Sequence, residues 1–282
     1  PFSVFDRKIQ ELVPNKNVEL ILFDENDELS ERGYEIALKL GYTNIFILEK
    51  GIQGWIEEGY ELFDGLNVPS KAFGEWVEIK KQTPHIKPYM LSKKIQKKQN
   101  IIIIDGRPLE EFKKMNIPNA ICCPNMEMPL KVIEFVDEKT EIIINCAGRT
   151  RSIIGAQNLI NYGIKNSVKA LENGTQGWFL SDLKLEENQS RQFEEQNNFK
   201  KNNKLYKKAT QLIEKYKLKK ISLKQINEFF SDNSRTTYIF DITTHSKNSK
   251  CKNLNIKNVP GGQLIQATDN FIGVLNSRVI LV

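Results

Sequence analysis

Residues 142–157 read IIINCAGRTRSIIGAQ, and this stretch decides the fold. Ile142–Ile144 form a β-branched apolar run of the kind found in strands buried on both faces. The run ends at Asn145 and Cys146. Ala147, Gly148, Arg149, Thr150 and Arg151 follow as a tight loop, and Ser152 opens a run whose apolar residues Ile153, Ile154, Ala156, Leu159 and Ile160 recur at helical spacing. A cysteine therefore sits where a strand gives way to a helix. Helix N-termini carry unpaired N–H groups and the positive end of the dipole, which favour an anion. A thiolate is such an anion, and a cysteine so placed can have its pKa drawn from about 8.5 towards about 3.5–7.5. The segment is read as a nucleophile in an anion cradle.

The pattern occurs twice. ILFDENDELSERGYEIALKLG from Ile21 aligns without a gap on IINCAGRTRSIIGAQNLINYG from Ile143. Asp24 then falls on Cys146, Ser30 on Ser152, Gly33 on Gly155 and Gly41 on Gly163. One extra residue later, GIQGW (Gly51–Trp55) falls on GTQGW (Gly174–Trp178). Each copy reads strand, loop, helix, strand, then a glycine turn into another helix, which implies a parallel α/β sheet flanked by helices. Trp55 and Trp178 are expected in the core. A second repeat sets NIIIIDGRPLEEFKKMNIPNA against TYIFDITTHSKNSKCKNLNIKNVPGG, placing Asp105 on Asp241 and Ile117-Pro118 on Val259-Pro260. A capped helix precedes each, beginning at Ser92 and at Ser222. Gln225 completes a capping box with Ser222.

These repeats divide the chain. Residues 1–78 hold the late part of one α/β unit, 86–186 a whole one, and 219–282 the early part of a third. Residues 187–218 read as a polar, then Lys-rich helical linker. The net charge of +6 is local: residues 200–220 carry nine Lys against Glu214, a sum of +8 that leaves −2 elsewhere. Leu205, Ala209, Leu212, Ile213 and Tyr216 give that run an amphipathic helical face. No aromatic-and-basic groove accompanies it, so nucleic acid is not an expected partner.

The 282 residues suit about two domains, and the 40% hydrophobic and 27% charged content suits a globular chain. No apolar stretch approaches about 20 residues, so no membrane span is expected, and no signal-peptide pattern is present. The chain opens at Pro1 and stops at Val282 inside a strand-like run, so both ends read as cut. Cys122, Cys123, Cys146 and Cys251 lack C-x-x-C spacing. That argues against a disulfide framework or a metal site and for a reducing, cytoplasmic compartment. Ordinary packing or exposure is the reading of Cys122, Cys123 and Cys251, and no cofactor is expected.

At DGRPLEEFKKMNIPNA, CAGRTRS and the Gly-x-x-Gly-Trp turn, the residues resemble the rhodanese (sulfurtransferase) family. NCAGRTRSIIGAQ, PSKAFGE and PGGQLIQATD narrow this to bacterial tandem rhodanese proteins. The resemblance implies that Cys146 carries a sulfane sulfur from a small anionic donor such as thiosulfate to cyanide or a thiol. It implies that Ala147, Gly148, Arg149, Thr150 and Arg151, with Ser152, bind substrate through an amide cradle, Gly148 letting the backbone turn without a Cβ clash. Arg149 and Arg151 would attract the donor's charge. Asp105 and Arg107 match the family pattern in a supporting role, as a pair pinning a strand end to the next loop. In the first unit Asp24, Glu25, Asp27 and Glu28 replace the anion-attracting loop, and in the third Thr243 stands where Arg107 would. One active site is therefore expected.

Two other readings stay open. Rhodanese-like domains also serve as sulfur relays or docking modules without turnover. A cysteine phosphatase or arsenate reductase shares the strand–Cys–loop–helix cradle, although phosphatase loops hold one more residue than the four between Cys146 and Arg151. A cysteine hydrolase has only His85 and His245 to draw on as a base. The incomplete terminal units are also candidates to associate, within one chain or between two, into a composite inactive domain, although both would bring the strand before the loop.

Overall fold

Isoleucine-rich runs make the central strands, as both-face burial requires. The computed structural model describes residues 2–63, 65–194, 203–243 and 256–282. Cys251 and His245 lie outside them. The N-terminal elements are α1 (Phe5–Leu12), β1 (Leu20–Leu22), α2 (Leu29–Lys39), β2 (Ile45–Ile47) and α3 (Gly51–Glu57). The middle runs through α4 (Val68–Lys81), β3 (His85–Ile86), α5 (Pro88–Gln96), β4 (Ile101–Asp105), α6 (Leu109–Lys114) and β5 (Ile121–Cys122). It continues with α7 (Met128–Phe135), β6 (Glu141–Asn145), α8 (Thr150–Tyr162), β7 (Val168–Leu171), α9 (Gly174–Phe179) and α10 (Asn203–Lys215). The last elements are α11 (Leu223–Ser231), β8 (Thr237–Asp241), β9 (Lys257–Asn258), α12 (Gly261–Gln266) and β10 (Arg278–Leu281).

Residues Pro69–Lys220 form one unit. Its five parallel strands run β3-β7-β6-β4-β5. β4 and β6 lie in register from Ile101↔Glu141 to Asp105↔Asn145. Side chains alternate across a strand, so Ile142 and Ile144 pack with Val77, Ile153, Ala156 and Leu159 on one face. Ile143 packs with Leu91, Phe112 and Trp178 on the other. Helix α8 ends where Gly163 takes φ +83° and donates to the Leu159 and Ile160 carbonyls.

Helix α5 begins at Pro88 rather than at Ser92, because a proline at the first position supplies helical φ and gives up no needed N–H. The start of the expected linker is tied down. Cys122 N donates to Arg191 O (2.8 Å), Arg191 Nε donates to Ala120 O (2.9 Å), and Phe193 stacks on Phe135 at 5.5 Å. Glu187–Glu194 thus runs beside β5 as a strap, which polarity alone did not suggest.

Residues Pro1–Val68 and Ile221–Val282 form the other unit. The two terminal pieces meet within one chain: Gly273 N donates to Leu12 O (3.2 Å) and Asn15 Nδ2 to Asn233 O (2.9 Å). Their strands stay in two sheets, β1-β2 and β10-β8-β9, so the duplicated pre-loop strands β1 and β10 do not compete for one place. The Ser222–Gln225 capping box is formed.

Two expectations are corrected here. Trp55 is 40% exposed whereas Trp178 is 3% exposed. Both indoles donate to a carbonyl six residues on, Glu61 O and Lys184 O, so the local turn repeats while the burial does not. The second repeat also shifts. Val259 N donates to Asp241 O as Cys123 N does to Asp105 O, so Val259-Pro260 answers to Cys123-Pro124 and not to Ile117-Pro118. Strand pairing fixes this, since Asp105↔Cys122 and Asp241↔Asn258 are equivalent rungs. Among the described residues, no helix is long and apolar enough to cross a membrane, and no group of three or more His, Cys, Asp or Glu is placed to hold a metal ion.

Candidate active site

Cys146 follows the last residue of β6 and precedes α8, so the strand end and helix N-terminus both fix it. Its carbonyl is held twice, by Thr175 N (2.7 Å) and Thr175 Oγ1 (3.0 Å), and Gln176 N holds Ala147 O (2.9 Å). The first turn of α9 thus clamps the start of the loop. Gly174 makes this possible. It has φ +53°, and a Cβ there would lie 2.3 Å from Cys146 O and 2.6 Å from Gly148 O. The same arrangement recurs at Gly51, with φ +51° and a would-be Cβ 2.2 Å from Asp24 O. Gly174→Ala should therefore cost at least the roughly 1–2 kcal/mol of a left-handed non-glycine residue, plus whatever the backbone clash adds. Urea unfolding checks it; an unchanged midpoint would show that the loop moves freely away from α9.

Behind Cys146 lies a buried polar chain. Asn145 Nδ2 donates to Asp105 Oδ2 (2.7 Å) and Thr175 Oγ1 (3.1 Å). Asp105 accepts from Arg107 at Nε (2.9 Å), Nη2 (2.8 Å) and the backbone N (3.1 Å). Arg107 Nη2 also donates to Met115 O (2.7 Å). Arg107 is thus linked by hydrogen bonds to the nucleophile's neighbourhood through Asp105, Asn145 and Thr175. Asn125 Nδ2 donates to Arg151 O (2.9 Å) at the far side of the loop. Asn125, Asn145 and Thr175 escaped the sequence reading because nothing in local spacing links them to residues 20 or more positions away. The GTQGW repeat was the available signal for Thr175.

Among the described residues, the backbone amides of Ala147–Arg151 donate to no backbone oxygen. The Ser152 hydroxyl lies 2.8 Å from Arg149 O, and both it and the Ser152 amide are within reach of the Cys146 thiol. In the other unit Asp24 answers to Cys146, and its Oδ2 accepts from Ser30 N (3.0 Å) and Ser30 Oγ (2.9 Å). A carboxylate thus occupies the position of the thiol, and its pKa is lowered chiefly by the Ser30 backbone bond.

The expected depression of the Cys146 pKa is not found. Burial pushes it up, because the thiol is 1% exposed; the Arg151 charge and the two Ser152 donors pull against this without overcoming it. Burial also raises Cys122, to about 12, and Cys123, which suits packed, unreactive thiols.

Both arginines are paired with carboxylates. Arg151 makes a two-pronged pair with Glu111, at 2.8 Å on each arm. Arg149 is bonded by Glu78 Oε2 (2.6 Å to Nη2, 3.2 Å to Nε) and Glu75 Oε1 (3.3 Å). The anion-attracting role expected of both side chains is therefore offset by carboxylates from α6 and α4, which local sequence did not associate with the loop.

A family model for the rhodanese-like domain matches residues 1–58 and 88–181. The crystal structure of thiosulfate sulfurtransferase from Pseudomonas aeruginosa is 35% identical, with a TM-score of 0.92 over 100% of this chain and 54% of that one. The chain thus spans about half of that protein's length. A Bacillus halodurans protein is 25% identical over 43% of this chain and 87% of that one, with a TM-score of 0.35. Among curated proteins, none matches.

Proposed function

We propose, for a chain that belongs to the rhodanese-like domain family, that its middle unit is a sulfurtransferase working through a persulfide on Cys146. The thiolate attacks the outer sulfur of a sulfane donor such as thiosulfate. A Cys146 Sγ–S bond forms, and the donor's S–S bond breaks, its electron pair leaving as sulfite or a thiolate. A thiophilic acceptor, cyanide or a thiol, then attacks the carried sulfur and returns Cys146 as thiolate. This is covalent catalysis in two half-reactions.

The observation that carries the reading is the pair of equivalent loops. At Asp24 the Ser30 amide and hydroxyl hold an anion. At Cys146 the matching Ser152 amide and hydroxyl lie beside a sulfur, the hydroxyl being bonded to Arg149 O, and among the described residues the amides of Ala147–Arg151 donate to no backbone oxygen. Fixed N–H donors aimed at a developing charge are worth most in a water-poor site. A terminal persulfide sulfur reaches further into such a cradle than the thiolate does. The first unit, whose cradle is filled by its own carboxylate, takes no part in transfer.

Two measurements test this. Initial rates with thiosulfate and cyanide should give parallel double-reciprocal lines; intersecting lines would mean that no sulfur stays on the enzyme between substrates. The buried thiol also sets a pH dependence. Its pKa is raised, so the thiolate is a minor form at neutral pH. Sulfur uptake should then climb with pH by up to about tenfold per unit, without levelling off below the ordinary thiol range. A plateau already reached near neutrality would mean that the thiol is in fact acidic.

A further inference from the structure

We infer that α4 sets donor selectivity: Glu75 and Glu78 take up the charge of Arg149 and turn the active loop against doubly charged donors. The inference rests on Cys146 being the sulfur carrier. Helix α4 falls in the segment left between the two stretches that match the family model, residues 1–58 and 88–181. It is nevertheless built onto the active loop. Val77 packs with Ile153 in the core of the unit. Gly74 lets the helix backbone approach Thr150, since a Cβ there would lie 2.9 Å from Thr150 Cγ2 and 3.3 Å from Thr150 Cα. Thr83, just past the helix, donates its hydroxyl to Gln157 of α8 (2.7 Å).

With α4 seated this way, Glu75 and Glu78 stand three residues apart on the side facing Arg149. Glu78 is the stronger partner: its side chain is 14% exposed and its Oε2 lies 2.6 Å from the guanidinium. Glu78 Oε1 also lies 3.5 Å from His85 Nδ1, and His85 Nε2 lies 3.2 Å from Glu172 Oε1. A cavity of about 480 Å³ lies among Glu78, His85, Arg149, Glu172 and Asn173, next to the loop. Arg151 is already matched by Glu111. Two guanidiniums thus face four carboxylates, and the approach to the cradle is acidic overall. Thiosulfate must bring two negative charges through that field and find both arginines engaged. A donor whose sulfane sulfur sits on an uncharged carrier, R–S–SH, brings at most the single charge of its terminal sulfur and meets less opposition. With it, Cys146 Sγ bonds the outer sulfur, the S–S bond joining that sulfur to the carrier breaks, and RS⁻ leaves to be protonated as RSH.

The test compares thiosulfate with an alkyl persulfide on an uncharged carrier, using the full chain and reading sulfur loading by intact mass against time. For the natural protein, kcat/KM for thiosulfate should rise with ionic strength, as screening relieves repulsion. Glu78→Gln and Glu75→Gln should each raise kcat/KM for thiosulfate about threefold to tenfold through KM, and the double variant, with two guanidiniums against two carboxylates, should lose the salt dependence. The persulfide donor, with at most one charge, should respond much less to either substitution or to salt. Glu75 is half exposed, so its variant tests the idea even where Glu78→Gln disturbs folding. Equal changes for both donors, or a weaker thiosulfate KM in either variant, would overturn the inference and leave α4 as a brace for the loop. No loading of Cys146 from either donor would instead overturn the sulfur-carrier reading and this inference with it.

Discussion

A Cys146→Ser chain is expected to transfer no sulfur, falling at least about 10³-fold to the level of the unassisted reaction. The substitution exchanges one atom inside a buried site and leaves Asn145, Thr175 and Ser152 with their partners. The hydroxyl stays protonated where a thiol ionises, and oxygen does not form the sulfur–sulfur bond on which both half-reactions depend. Circular dichroism and the unfolding midpoint should match the natural protein, so lost activity reads as lost chemistry. Thiocyanate formation above one-hundredth of the natural rate would mean that Cys122, Cys123 or Cys251 carries sulfur.

The largest effect on stability is expected from Asp105→Ala. Arg107 is almost wholly buried, and Asp105 receives three of its donors. Removing the carboxylate strands a guanidinium inside the sheet's C-terminal edge and leaves Asn145 Nδ2 with Thr175 alone. Breaking a buried ion pair from one side costs about 3–5 kcal/mol. Because Asn145 precedes Cys146, the loss should reach the nucleophile as well, and sulfur uptake should fall. Asp105→Ala paired with Arg107→Met should recover much of the stability, since no buried charge is then left alone. If the single variant unfolds within about 1 kcal/mol of the natural chain, the pair is not the pin described here.

Much of this was legible in the sequence because it rests on local pattern. Ile142–Ile144 had to be a buried strand, and Cys146 at its end had to meet the start of α8. The repeat of Asp24 on Cys146 and Gly51 on Gly174 survives as matching backbone geometry. Gly163, lacking a Cβ, takes the left-handed turn that ends α8, and the Ser222 side chain caps the start of α11. What failed depends on distance. The pairing of Arg149 with Glu75 and Glu78, and of Arg151 with Glu111, joins residues 40 or more positions apart. Reading the loop alone, both arginines looked like donors of free charge. Burial of Cys146 is likewise a property of the packed sheet and of no neighbouring residue, so its pKa moved the opposite way from the helix-dipole expectation. The slip from Ile117-Pro118 to Cys123-Pro124 came from matching a dipeptide where strand register decides. Trp55 shows the converse: its hydrogen bond is local and repeats, but its burial depends on what packs over it.

The central claim is that sulfur resides covalently on Cys146. Intact mass after incubation with a sulfane donor, followed by peptide mapping of the modified cysteine and then by cyanide, tests it most directly. The prediction is a gain of one sulfur, on the peptide containing Cys146 and on no other, that disappears as thiocyanate forms. A natural chain that takes up no sulfur from either thiosulfate or a persulfide, or takes it up on Cys122, Cys123 or Cys251, would contradict it and move the middle unit to a docking role.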